Sequence, residues 1–203
     1  AEPDPEAALL FADDKSLSAP TADHLEETLA IISWLKARDV RLDGLAVQAR
    51  LGLPYIAPSQ IETRLNRLAA VSELPVTVMG LEVSAPTEAI QAERLEDLLV
   101  LFYSNPAVTQ ICLGGIWAPL MEAGSAALYR DGFVIKPSGK VLSEYLRERW
   151  WTDTEVRTGA DGTVSLDVFH GRYEVTAVVG DQEQQVSVKV GPEGNELALQ
   201  FPE

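Results

Sequence analysis

At 203 residues, with 46% hydrophobic and 23% charged side chains, the chain has apolar mass for a buried core and is not a disordered segment. Its 16 basic and 31 acidic residues leave a net charge of −15, which argues against nucleic acid and anionic membranes and favours neutral partners such as glycans. No apolar run reaches the roughly 20 residues of a membrane span. Cys112 is the one cysteine and His24 and His170 the two histidines, so an internal disulfide, a histidine metal site or a Ser-His-Asp triad has no material. No cofactor and no metal are therefore expected. The chain begins at Ala1 without a signal peptide, which suits a trimmed product or a piece of a longer one.

Through its first two-thirds the chain repeats one unit: a short apolar run, a loop, an amphipathic helix. The runs Ala8–Phe11, Leu45–Val47, Val76–Val83 and Val108–Ile116 start roughly 31 to 37 residues apart, the length of a βα unit. Asp23 with Glu26 predicts a capping box before Leu25, Leu29 and Ile32, and Ser59 with Glu62 predicts another before Ile61, Leu65 and Leu68. A third helix is expected from Thr87 to the stop at Pro106, burying Leu95, Leu98, Leu99 and Phe102, and a fourth from Pro137 toward Trp150. The apolar runs do not alternate, as befits a parallel sheet covered on both faces. Four βα units are half of a (β/α)8 barrel or a small open α/β sheet.

Beyond Thr152 the pattern switches to alternation. Thr163–Phe169, Arg172–Val179, Glu183–Val190 and Glu196–Phe201 each place apolar residues at every second position, separated by Asp161-Gly162, His170-Gly171 and Gly180-Asp181 turns. The expected organisation is α/β: residues 1–152 form the four βα units, and 153–203 a small antiparallel, β-sandwich-like domain.

Several segments in this order resemble the C-terminal half of a family 10 glycoside hydrolase, the xylanase family with a (β/α)8 barrel. AEPDPEAALLFADDKSL is similar to its fifth strand, WLKARDVRLDGLAVQARLG to the approach to the sixth, and PVTVMGLEV to the seventh. QAERLEDLLVLFYSNPAVTQI resembles the next helix and eighth strand, and AALYRDGFVIKPSGKVLSEYLRERWWT the family's closing stretch. The tail DGTVSLDVFHGRYEVTAVVGDQEQQVSVKV resembles a β appendage of one bacterial subgroup.

The resemblance implies a damaged catalytic centre. A retaining glycosidase needs two carboxyl groups about 5 Å apart. The family's nucleophile position falls on Gly80, and the strand carrying its acid/base residue is not among the matched segments. Arg50 stands for a histidine, Gly114 for a tryptophan and Ala118 for an acidic residue, while Glu82 conserves the character of an aspartate. No catalytic residue is therefore assigned. Gln48, Arg50 and Trp117 are the candidate carbohydrate contacts by the same resemblance.

Each has a plainer reading. Gln48 can be a polar strand end satisfied by backbone, and Trp117 a core or interface indole. Arg50 can pair with Glu82 or with Asp13 and Asp14. Trp150 and Trp151 read as packing, Cys112 as a small buried hydrophobe, and His170 as a turn residue.

A half-barrel has two open strand edges, so association is expected: with itself, with a complementary N-terminal half, or in a larger assembly. The functional expectation is a non-catalytic family-10-like module that binds a xylan-like polysaccharide or serves structurally, in the extracellular space or periplasm. The alternatives are a subunit or fragment of a xylanase-like hydrolase whose first half comes from elsewhere, and an assembly subunit without sugar affinity.

Overall fold

The computed structural model describes residues 6–121 and 126–201. They fall into two compact units, Ala1–Ser143 and Glu144–Glu203, divided upstream of the 152/153 junction expected from composition.

In the first unit, strands β1 (Leu10–Asp13), β2 (Gly44–Leu51), β3 (Val76–Val83) and β4 (Val108–Leu113) form one sheet in the order β1-β2-β3-β4. All three pairings are parallel. Helices α1 (Asp23–Lys36), α2 (Pro58–Ser72) and α3 (Glu88–Ser104) make the crossovers. This is the half-barrel arrangement expected from the run-and-helix repeat. The core is the apolar stripe of each helix, Leu25 and Ile32 of α1, Leu65 and Leu68 of α2 and Leu99 and Phe102 of α3, with Leu45 and Val47 of β2 and Val76 and Val78 of β3. The first four residues of β2 are all buried, whereas the outer strands are more open: Leu10 of β1 is 46% exposed, and Cys112 of β4 is half-buried rather than enclosed.

The helix starts differ from expectation for a physical reason. Glu26 is occupied by Arg67 of α2, at 2.9 Å through Nη2, and α1 begins after Ala22 with no side-chain cap. In α2, Pro58 takes the first turn, where a missing N–H costs nothing, and the Gln60 carboxamide accepts from the Ala57 N–H at 3.3 Å. Thr87 caps α3 as expected, accepting from the Ile90 N–H at 3.3 Å. Asn105, ahead of Pro106, is extended (φ −81°, ψ 119°) and closes that helix.

Helix α4 (Pro137–Glu144) passes into a π-helical turn, Tyr145–Arg149, where Trp150 meets Tyr145 edge-on at 4.9 Å between ring centroids. Farther on lies a single antiparallel hairpin, β5 (Gly171–Val179) with β6 (Gln182–Val190), in unbroken register from Gly171↔Val190 to Val179↔Gln182. The runs 163–169 and 196–201, expected as strands of a sandwich, lie outside any strand. Alternation suits a strand only where a neighbour completes the hydrogen-bond ladder and a second layer covers the apolar face. Val164 and Leu166 stay 49% and 47% exposed, so neither condition holds there.

Candidate functional site

The site lies at the C-terminal ends of β2, β3 and β4, and a bulge in β3 shapes it. Gln48 faces Met79 and Arg50 faces Glu82, so one residue of β2 spans two of β3; Val78↔Ile111 followed by Leu81↔Leu113 shows the same surplus against β4. The extra residue is absorbed at Gly80, whose φ of +58° lies in the left-handed region that glycine enters without steric penalty. An isolated glycine in an apolar strand is a bulge signal. Here it also leaves open space: a Cβ built on Gly80 would have the Gln48 Nε2 atom as its nearest neighbour, at 3.9 Å.

Past the bulge, Glu82 is directed toward β4. Its Oε1 accepts from the Gly115 N–H at 3.2 Å, and the Arg50 Nε lies 3.9 Å away. Arg50 thus sits beside Glu82, one of the two partners expected for it, although its side chain remains 65% exposed and the pair is solvent-screened. Gly114 is the position that admits this geometry, because any side chain there would collide with the carboxyl end of Glu82.

Gln48 is half-buried, and its amide has no hydrogen-bond partner among the described residues. Trp117 follows β4 and precedes the short 3-10 turn Ala118–Leu120. Its ring is stacked against Phe133, with centroids 4.9 Å apart and planes 5° from parallel, and its Nε1 is buried without a partner. Phe133 is 68% exposed, so the accessible aromatic surface of this pair belongs to Phe133. Nothing in the residue spacing signalled that partnership, which a loop creates.

At the end of β1, Asp13 is committed to structure. Its carboxylate accepts from Thr28 Oγ1 at 2.6 Å, the Ser16 N–H at 2.8 Å and Ser16 Oγ at 2.9 Å, with His24 Nε2 at 3.3 Å. Burial pushes its pKa up, but those hydrogen bonds and the nearby imidazole outweigh burial and hold it below 3.8. Arg64, buried on α2, ties down the same loop by donating to the carbonyls of Ser16, Leu17 and Ala19.

The model of glycosyl hydrolase family 10 matches residues 1–137. The chain belongs to this family. It is 26% identical over 160 residues to the anti-sigma-I factor RsgI6 of Acetivibrio thermocellus, covering 78% of this chain and 21% of that protein. Endo-1,4-beta-xylanase 2 of Arabidopsis thaliana is likewise 26% identical over 160 residues, with 78% and 14% covered. Native xylanase 10B from Thermotoga maritima superposes with a TM-score of 0.60 at 21% identity, over 72% of this chain and 48% of that one. The Thermotoga petrophila xylanase 10B in complex with xylobiose gives 0.59, at 21% identity and the same coverage. The family 10 chain described here thus spans about half the length of these solved xylanases and a smaller share of the curated relatives, and it is a partial, xylanase-like barrel.

Proposed function

We propose that this family 10 chain recognises a xylan-type glycan without hydrolysing it, acting outside the cytoplasm in the extracellular space or periplasm. Gly80 carries the reading. By the family resemblance it stands at the nucleophile position, and a residue with no side chain cannot attack an anomeric carbon. Glu82 does not replace it, since its carboxylate is engaged by the Gly115 N–H and leans toward β4. What favours binding is the group of polar and aromatic surfaces left at the strand ends. The unpartnered Gln48 amide can donate to and accept from sugar hydroxyls. The Trp117–Phe133 stack offers a flat face of the kind on which a pyranose ring packs.

A second reading is favoured by the sheet edges. β1 pairs with β2 alone and β4 with β3 alone among the described residues, so each presents one unpaired side. A complementary half-barrel or a second copy would cover them, and a complementary half would also supply the acid/base strand of a xylanase-like hydrolase. An aryl xyloside assay with and without azide, run on the chain alone and with the first half of a family 10 xylanase barrel added, separates the readings. Under the proposal no condition releases the phenol. Azide-dependent release, with the small anion occupying the space beside Gly80, would replace the proposal with a hydrolase that has lost its nucleophile.

A further inference from the structure

A cavity beside the glycan site, between the β2–α2 and β3–α3 loops, has a chemistry that neither the bulge nor Glu82 uses. Ser18, Arg50, Pro54, Tyr55, Ser84 and Arg94 are among its lining residues. Arg94 projects from the second turn of α3 with its guanidinium carbon 4.1 Å from the centre of the Tyr55 ring. Its Nη1 is buried without a hydrogen-bond partner, and no ion pair to Arg94 is present among the described residues. In a chain of net charge −15, a guanidinium locked against an aromatic ring and left without an acid is unusual. A buried, unsatisfied N–H of a charged group is costly, and a planar fork of donors is matched best by a carboxylate.

We infer that this cavity is a carboxylate site, and that its ligand is a sugar acid, a uronate carried on the glycan bound at the neighbouring strand ends. The inference rests on the glycan reading above. With a volume of about 50 Å³, the cavity has room for a carboxylate. The sugar ring would lie at the mouth, where Leu53 is 80% exposed and Tyr55 49% exposed, so apolar surface is already in place for it. Arg50 lines the cavity and also stands beside Glu82, which joins the two sites along one face.

The test titrates the full chain with xylotetraose, with the same oligosaccharide carrying a glucuronate branch, and with free glucuronate, glucose, N-acetylglutamate and inorganic phosphate. Binding is followed by calorimetry and by the Arg94 side-chain NMR signals. The branched oligosaccharide is expected to bind about tenfold tighter than the unbranched one, the scale of one charge-assisted hydrogen bond. Free glucuronate shifts the Arg94 signals and glucose does not. In Arg94→Gln the preference vanishes while unbranched binding is retained, and Arg94→Lys keeps only part of the preference because it lacks the fork. Thermal melts of both variants confirm folding. A preference that persists in Arg94→Gln, or the absence of any preference, overturns the site. Tighter binding of N-acetylglutamate or phosphate than of glucuronate overturns the sugar acid. If unbranched xylotetraose fails to bind while glucuronate still shifts Arg94, the glycan reading falls and the carboxylate site stands.

Discussion

Gly114→Ala tests most sharply how the strand ends are built. The new methyl group would occupy the volume now filled by the Glu82 carboxyl end, so the acid must swing away and release the Gly115 N–H. The displaced atoms belong to a flexible, partly exposed side chain, so the shift itself is cheap and the main loss is the released hydrogen bond, about 1 kcal/mol. That corresponds to a fall in melting temperature of roughly 2–4 °C for a chain of this size. Glu82→Ala alone forfeits the same hydrogen bond, about 1 kcal/mol. In the double variant that bond is lost only once, so its cost should stay near that of Glu82→Ala, leaving a favourable coupling of about 1 kcal/mol. Chemical denaturation of the four proteins of this cycle measures that coupling directly. Additive costs, or a harmless Gly114→Ala, would refute the claim that Gly114 exists to seat Glu82.

Three further outcomes follow from the same geometry. Asp13→Asn removes a buried anion that accepts from Thr28 and Ser16, and should cost roughly 2–3 kcal/mol by urea denaturation. Because the folded pKa of Asp13 is depressed, its contribution is fully present above 3.8 and lost as pH falls through the lower folded value, so Asp13→Asn should flatten the acid limb of stability against pH. Phe102→Ala, at a fully buried position on α3, should cost about 3–5 kcal/mol, read as a shift in denaturation midpoint without a change in slope. Gly80→Glu meets open space but a left-handed backbone, so it should lower stability by only about 1–2 kcal/mol and still give no xyloside hydrolysis in this chain.

The sheet was legible because its strands are uninterrupted apolar runs at βα spacing, and Thr87 and Pro106 mark the ends of α3 where the caps form. The helix starts were less legible, since a cap motif says nothing about competition: Glu26 bonds to Arg67 from another helix, contacts that are distant in sequence. The appendage misled for a related reason. Alternation in 163–169 and 196–201 matches that of β5 and β6, yet only the latter two face each other across a tight turn at Gly180-Asp181. At the site, the pairing of Arg50 with Glu82 could be anticipated from charge. The bulge could have been inferred from Gly80 inside its strand. The Trp117–Phe133 stack and the Arg94–Tyr55 contact could not, because each depends on a loop that brings together residues without periodic relation.

The central claim is that the chain binds a glycan that it cannot cut. Following xylotetraose by NMR in one sample with the chain gives binding and turnover together. The account predicts saturable shifts at Gln48 and Phe133, weakened about tenfold by Gln48→Ala on the scale of one side-chain hydrogen bond, with the oligosaccharide intact at the end. Accumulating xylose or xylobiose, abolished by a substitution in this chain, would contradict it, as would the absence of any shift at those two residues.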